Sequence, residues 1–330
     1  MSGALLPLVP LYAAAVDAKN LACDRGWVRA DHLRWPVVSV GNLSVGGSGK
    51  TPLVIRLAEL LREQGIAVDV LSRGYGRQST TVAQVDPNGS AEEFGDEPLL
   101  IARATCVPVY VGSSRYAAGE LAERDATTPH VHLLDDGFQH RRLARSLDIV
   151  VLHRSDFSTH LLPAGRLRER FSSLRRAQII AMRDEDQDLE PELRRRGCNL
   201  PIWWMTRRVE IPGVSSAIAF CAIARPDEFL SELRKQGIAI PATRSWRDHH
   251  RYTCADISAL ISLQRQHQSQ AFLTTEKDLV RLSPSHRQTL QSVAPLHTAK
   301  LVVRLRDEGA AMAQLLGFLS QSAAVPPQST

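Results

Sequence analysis

The apolar positions of this chain follow two alternating rhythms. Residues 36–40 form an apolar run; after a glycine-rich stretch, Leu53, Leu57, Leu60 and Leu61 recur at helical spacing. That pattern predicts a strand, a tight loop and a helix. The alternation continues with strands at 67–71 and 81–85, and a turn at Pro87-Asn88-Gly89 that reads as a surface hairpin. A helix opens at Gly95-Asp96-Glu97-Pro98 and runs through 104; a strand at 107–111, a helix at 115–124 and a strand at 131–134 follow. Strands at 148–152 and 178–182 flank a long irregular loop that includes Leu162 to Glu169, and loops of that length inside a compact domain tend to be functional. The second half reads as a strand at 217–222, helices at 226–236 and near 256–266, strands at 271–274 and 300–305, and a helix at 308–319. Repeated strand–helix alternation implies an α/β fold: a mostly parallel sheet with helices on both faces, plus a second, smaller α/β domain. Composition shifts near 203–212. This places a link at about 206–215 between a first domain, 1–205, and a second, 206–330, with a disordered tail at 323–330.

A chain of 330 residues has room for two cores, and 44% hydrophobic with 23% charged residues is ordinary for a soluble protein. The net charge of +5 is unevenly spread, with nine arginines against three acidic residues between Arg141 and Arg176. Such a cluster suits an anionic partner (a phosphate-bearing substrate, an anionic membrane, a nucleic acid) or is simply a solvated basic face. The five cysteines are odd in number, scattered, and without a Cys-x-x-Cys pair, which argues against a disulfide framework or structural zinc and for a reducing compartment. The apolar segment 4–16 would be a helix of roughly 20 Å, short of the ~30 Å hydrocarbon core. No Lys or Arg precedes it, unlike a secretory leader. It reads either as a core helix or as an interfacial one, with Leu5, Leu6, Leu8, Val9, Leu11 and Tyr12 inserted and Lys19, Arg25 and Arg29 at headgroup level.

The chemistry concentrates at strand ends. Ser44-Val45-Gly46-Gly47-Ser48-Gly49-Lys50-Thr51 lies between the first strand and the first amphipathic helix. There a glycine loop wraps a phosphate chain with backbone N–H groups, a lysine reaches the β/γ-phosphates, a hydroxyl holds Mg²⁺, and the helix N-terminus adds partial positive charge. Ser44 stands where the pattern expects glycine. The apolar strand at 131–134 runs into Asp135-Asp136, the usual carboxylate partner of a P-loop, facing Mg²⁺ directly or through water. Ser72-Arg73-Gly74-Tyr75-Gly76 ends another strand, where open α/β sheets bind ligands. Asp96 is either functional or a plain helix cap.

A P-loop alone leaves open a kinase, or a soluble ATPase or GTPase acting as a switch or metallochaperone. Thr275-Glu276-Lys277-Asp278 lacks the spacing of a guanine-reading motif. Taken in order, Val40-Gly41-Asn42, Gly46-Gly47-Ser48-Gly49-Lys50-Thr51-Pro52, Ser72-Arg73-Gly74-Tyr75-Gly76, Gly95-Asp96-Glu97-Pro98, Asp135-Asp136-Gly137-Phe138-Gln139-His140, the stretch 161–169 and Asp248-His249 resemble the tetraacyldisaccharide 4′-kinase family, the lipid A 4′-kinases of Gram-negative bacteria. The likeness runs from the N-terminal apolar segment to Lys277-Asp278, and in that family Ser or Thr is common at the first P-loop position.

The resemblance implies transfer of the γ-phosphate of ATP to the 4′-hydroxyl of an acylated glucosamine disaccharide 1-phosphate, giving lipid IVA. It also implies peripheral attachment to the cytoplasmic face of the inner membrane, and no nucleic-acid partner. It favours the interfacial reading of 4–16. It implies Asp96 as the base paired with His249, a dyad expected to assemble as the two domains close. Lys50 and Thr51 would serve phosphates and Mg²⁺, and Asp135, Asp136 and Glu97 the metal and the transferring phosphoryl. Tyr75, Arg73, Gln139 and Arg168 would line the nucleotide or headgroup site. The chain departs from the family in its 157–160 loop, Phe157-Ser158-Thr159-His160, where Gly-Asn-Gly is usual, and in Arg166 and Arg170, which replace common prolines. His250 beside His249 leaves the choice of histidine open.

Overall fold

The computed structural model describes residues 3–47, 49–211 and 213–323; Ser48 of the phosphate loop, Pro212 of the expected link and residues 324–330 of the expected tail lie outside them. In chain order the first half holds α1 (Val9–Asp24, preceded by a 3-10 turn over Gly3–Leu8), β1 (Val37–Asn42), α2 (Lys50–Glu63), β2 (Val68–Ser72), β3 (Ala83–Gln84), α3 (Ala91–Phe94) and α4 (Asp96–Thr105). It continues with β4 (Val109–Val111), α5 (Arg115–Asp125), β5 (Val131–Asp135), β6 (Leu147–Val151), β7 (Ile179–Arg183) and α6 (Glu190–Arg195). The second half adds β8 (Ile202–Glu210), β9 (Ile218–Cys221), α7 (Pro226–Lys235), β10 (Thr243–Ser245), α8 (Cys254–His267), β11 (Phe272–Thr275), α9 (Glu276–Arg281), α10 (Pro284–Gln291), β12 (Leu296–Leu305) and α11 (Glu308–Ala323).

Twelve strands form one sheet in the order β10-β9-β11-β12-β8-β7-β6-β1-β5-β2-β4-β3. Among the described residues, only β12 against β8 and β3 against β4 run antiparallel. Strands β1, β2, β5 and β6 are buried along their whole length. This is why apolar residues dominate them on both faces: helices cover both sides of a parallel sheet. The phosphate loop leaves the carboxyl end of β1, and Asp135 ends the neighbouring β5. Both therefore stand on the same edge, where doubly wound sheets bind ligands.

Three expectations are corrected. The stretch around 203–210 is no link but β8, which pairs with β7 on one side and β12 on the other and carries the sheet through the expected boundary. The turn at Pro87-Asn88-Gly89 closes no hairpin, because β3 pairs with the later β4 and the turn leads into α3. At the far end, Ala323 of the expected tail belongs to α11.

Long β12 stitches the two halves together. Its first residues pair with β11 and its last with β8. Helix α2 buries Leu53, Val54, Leu57 and Leu61 in a core shared with Val303 and Leu305 of β12 and Met312 and Leu315 of α11. Arg56 of α2 forks onto both carboxylate oxygens of Glu308 at 2.9 and 2.7 Å. The helix that carries the phosphate loop is thus anchored by the last strand and helix of the chain.

Candidate active site

Helix α2 starts at Lys50, directly after Gly49, which adopts φ 95° at its N-cap, and Gly46 adopts φ 99°. Side chains rarely tolerate these angles, so glycine at both places frees the backbone to curl around an anion at the helix N-terminus. The arginine-rich loop of 153–169 clasps this turn from outside. Val45 N–H donates to the Arg166 carbonyl at 2.8 Å, and the Arg166 guanidinium returns bonds to the Val45 carbonyl at 3.0 and 3.2 Å. Ser44 is buried and forms an antiparallel bridge with Leu167. A strand-like tie, rather than a wide glycine turn, holds that position.

Beneath the loop, Gly41 allows an unusually close approach. A Cβ there would lie 2.4 Å from the Phe138 Cβ and 2.7 Å from its backbone nitrogen. The turn after β5 packs directly on β1, with Phe138 fully buried under it. That contact sets Asp135 and Asp136 beside Lys50. Asp136 takes φ 51° and receives the Lys50 ammonium at 3.4 Å and the Arg168 guanidinium at 3.1 Å. Burial alone would raise its carboxyl, but Lys50 and Arg168 outweigh burial and hold it below its ordinary value. Asp135 is the opposite case. Its Oδ2 takes only a 3.4 Å bond from Ser72, and its Oδ1 is buried without a partner. Burial, and then the charges of Glu97 and Asp136, push this carboxyl well above the carboxylate range, against Lys50 and Arg115. Gln139 accepts from Arg168 at 3.1 Å and donates to the Asn42 carbonyl at 2.9 Å, so Arg168, Gln139 and Asp136 form one connected group.

Asp96 begins α4 without capping it: the N-cap is Gly95, and no side-chain cap bond forms. The Asp96 side chain turns toward the second half of the chain. His249 Nδ1 lies 2.9 Å from its Oδ2, and Arg281 Nε donates to the same oxygen at 2.6 Å. Burial would raise the Asp96 carboxyl, yet the His249 and Arg281 contacts hold it below its usual value. The expectation that this pair meets only on domain closure is not what the arrangement shows: the two residues are in contact here. His250 is engaged elsewhere, bonded to Asp256 at 2.9 Å and stacked on Trp246. His249 sits at φ 61°. The other non-glycine residues at positive φ among the described ones are Asp136 and two helix C-caps, Cys106 and Gln268. Left-handed backbone thus serves helix ends twice and this site twice.

Tyr75 is exposed with its ring 5.6 Å from that of His249, and Arg73 is exposed at the end of β2. Glu97 pairs with Lys277 at 3.2 Å, and Thr51 is half-buried at the start of α2. Sequence reasoning missed Arg281 and Lys277. Their side chains reach Asp96 and Glu97 from α9, far away in the chain, and nothing local distinguishes them from ordinary helix-surface cations. It also missed Arg115, a buried guanidinium lowered to about 10 by burial and Arg73, against the pull of Asp136 and Asp135.

On the outer side, α1 presents an inverted pattern. Polar residues pin it inward: Asn20 donates to Glu169 at 2.9 Å, Tyr12 to the Arg168 carbonyl at 3.1 Å, and Arg141 and Arg175 pair with Asp24 at 2.7 and 2.9 Å. Leu11 and Leu21 of the helix, Leu5, Leu6 and Leu8 of the turn before it and Trp27 after it point outward, with Leu11 70% and Trp27 71% exposed, whereas Val9 and Tyr12, expected to insert with them, pack inward. A plain core helix would do the reverse. The same ion pairs consume much of the arginine cluster, whose members bind Asp136, Asp17, Asp24, Asp148, Asp186, Asp188 and Glu169. It is therefore a framework of internal ties rather than a free basic face. Between α1 and the phosphate loop lies a cavity of about 270 Å³, lined by Tyr12, Val16, Lys19, Asn20, Val45, Gln139, Leu162, Arg168 and Glu169. No helix among the described residues is long and apolar enough to cross a membrane.

Comparison with known proteins gives one answer. A family profile described as "Tetraacyldisaccharide-1-P 4'-kinase" matches residues 1–320. The tetraacyldisaccharide 4′-kinase of Koribacter versatilis is 41% identical over 330 residues, covering 96% of this chain and 98% of that protein. The Aquifex aeolicus protein of the same name is 36% identical over 298 residues, covering 86% and 90%. A solved structure titled as an "apo" form of LpxK from Aquifex aeolicus in complex with ATP superposes with a TM-score of 0.76 at 32% identity, covering 96% of this chain and 98% of that one.

Proposed function

The chain belongs to the tetraacyldisaccharide-1-P 4′-kinase family, and on that premise we propose how its residues divide the work of phosphorylating a lipid. It is a kinase of lipid A biosynthesis, moving the γ-phosphate of ATP to the 4′-hydroxyl of tetraacyldisaccharide 1-phosphate to give lipid IVA.

Asp96 is the general base. Both of its protein donors bind one oxygen, Oδ2, at 2.9 and 2.6 Å, leaving Oδ1 for the sugar hydroxyl. The carboxyl is held ionised, and the His249 ring fixes its orientation. That two-donor, one-oxygen geometry is the observation that carries the proposal. Lys50, Thr51 and the backbone of Val45, Gly46, Gly47, Ser48 and Gly49, behind Ser44, take the triphosphate, with Tyr75 beside the nucleotide. Asp136, already flanked by Lys50 and Arg168, places both cations around the phosphoryl in transit.

The site fits Mg²⁺. Asp135 Oδ1 is a buried carboxylate oxygen with no partner, and burial together with the charges of Glu97 and Asp136 pushes its carboxyl up. Hard oxygen donors of this kind, with Thr51 nearby, suit magnesium. Asp135, Asp136, Glu97 and Thr51 would hold the ion, which when bound would supply positive charge to neutralise charge developing on the phosphoryl oxygens. Arg73, Gln139 and Arg168 serve the substrate headgroup, with the cavity between α1 and the phosphate loop receiving its polar part. The outward leucines of α1 and of the turn before it rest in the surface of the inner membrane, on its cytoplasmic face, where ATP is available. We read the part of the chain before β8 as the nucleotide-binding lobe and the part after it as the lobe that supplies His249, Arg281 and Lys277.

The test is incubation with γ-labelled ATP and the disaccharide lipid. Label in the lipid fraction is expected. Label released only as free phosphate, at the same rate without lipid, overturns the reading in favour of a plain ATPase.

A further inference from the structure

At the opposite end of the sheet from the phosphate loop, three buried groups converge. Asp69 on β2 and His132 on β5 are direct cross-strand partners, and His130 precedes His132 by two residues, so it shares that face. Their candidate ligand atoms all lie within 4.8 Å of one another. Asp69 and His132 each stand three residues before the strand ends at Ser72 and Asp135, roughly 10 Å along the strand from the active edge. Glu123 of α5 closes one side, accepting from the Arg34 and Trp35 backbone N–H groups at 2.6 and 3.1 Å. The Trp35 ring covers His130, with centroids 4.1 Å apart.

Counting donors and acceptors shows that this cluster is incomplete as drawn from protein atoms. His130 Nδ1 lies 3.1 Å from the Thr128 carbonyl oxygen, which only accepts, so the ring proton belongs on Nδ1. Its other nitrogen, Nε2, is then a lone pair 2.5 Å from Asp69 Oδ2, and it is buried without a hydrogen-bond partner. His132 repeats the pattern: Nε2 faces the Glu123 carboxylate at 3.4 Å, while Nδ1 faces the two Asp69 oxygens at 2.9 and 3.0 Å. Each imidazole therefore has an acceptor on both sides. Two extra protons would satisfy them, at the cost of two buried imidazolium rings whose centroids are 4.7 Å apart. One dication replaces both protons with the same total charge and leaves both rings neutral. An outer carbonyl on one histidine and an outer carboxylate on the other are the partners that orient metal-bound imidazoles.

We propose that Asp69, His130 and His132 bind one divalent transition-metal ion, zinc by the character of the donors, with Thr128 and Glu123 as outer supports. Nitrogen and carboxylate ligands in a His₂-carboxylate set suit zinc rather than magnesium or calcium. Tetrahedral bonds of about 2.0–2.1 Å put ligand atoms about 3.3 Å apart. The present contacts need to open by less than about 1 Å to admit the ion. None of the cysteines takes part, which is why their scattered pattern gave no sign of it. The ion would tie the starts of β2 and β5 to α5 and stand apart from phosphoryl transfer.

The experiment uses the full chain, made in zinc-supplemented medium and dialysed against metal-free buffer. About one zinc per chain is expected by elemental analysis. After stripping with a chelator, added Co²⁺ should give the visible absorption of a tetrahedral cobalt site, and Zn²⁺ but not Mg²⁺ should raise the thermal midpoint. His130→Gln and His132→Gln should each lose the metal while still binding ATP. A stripped wild-type chain that takes up neither Zn²⁺ nor Co²⁺ overturns the proposal, whether or not the variants fold. Uptake by the variants equal to that of wild type overturns it as well.

Discussion

Asp96→Asn is the sharpest perturbation of the active edge, because it is close to isosteric. The asparagine carbonyl can occupy the Oδ2 position and accept from His249 and Arg281, now at 2.9 and 2.6 Å. Arg281 keeps Asp278 at 3.3 Å and the Ala222 carbonyl, so its guanidinium is not stranded. What faces the sugar hydroxyl becomes an amide NH₂, which cannot take a proton. General-base assistance contributes about 10²–10⁴ in rate, or about 3–5 kcal/mol of barrier. Turnover should fall by that factor, measured as labelled lipid per minute at saturating ATP and Mg²⁺. ATP affinity, followed by equilibrium binding, should change less than threefold, since Lys50 makes its contact with Asp136 and none with Asp96. A variant within tenfold of wild-type turnover would refute the assignment. So would a loss of turnover that merely tracked a loss of ATP binding.

What the sequence disclosed, and what it withheld, divides along contact range. The strand, glycine loop and helix of 37–63 are local signals, as is Asp135-Asp136 at the end of an apolar strand, and both were legible. So was the pairing of Asp96 with His249, but through the family resemblance: their separation of 153 residues leaves no trace in periodicity. Arg281 was invisible for the same reason, since its role exists only once α9 lies against α4. The mistaken link at 203–212 has a physical cause. Strand β8 carries Thr206, Arg207 and Arg208 exposed beyond its buried Trp203 and Met205, so half of it looks like a polar connector until β12 is laid beside it. The arginines of 141–176 gave the sign of the charge, while their neutralising partners on α1 and in 184–188 were out of reach of a linear reading.

Four further outcomes follow from the structure. Leu5, Leu6 and Leu11 changed together to Ser should weaken binding to anionic phospholipid vesicles over 100-fold, at about 1 kcal/mol each; unchanged co-sedimentation would remove α1 from the membrane. Gly41→Ala forces a methyl group into the Phe138 backbone and should lower stability by about 1–3 kcal/mol, read from the urea midpoint; an unshifted midpoint would contradict the close packing. Asp135→Ala should raise the Mg²⁺ concentration needed for half-maximal turnover at least tenfold; an unchanged Mg²⁺ dependence would move the metal elsewhere. Arg281→Met tests how Asp96 is kept ready. The base works ionised, so activity is present above its pKa and is lost as pH falls through it. Burial raises that pKa, while His249 and Arg281 lower it to below the ordinary value. Removing the Arg281 cation takes away one lowering influence and leaves burial in place, so the acid limb of the kcat–pH profile must move to higher pH. His249→Gln should move it the same way. A purely structural Arg281 would instead depress turnover equally at every pH, with the limb where it was.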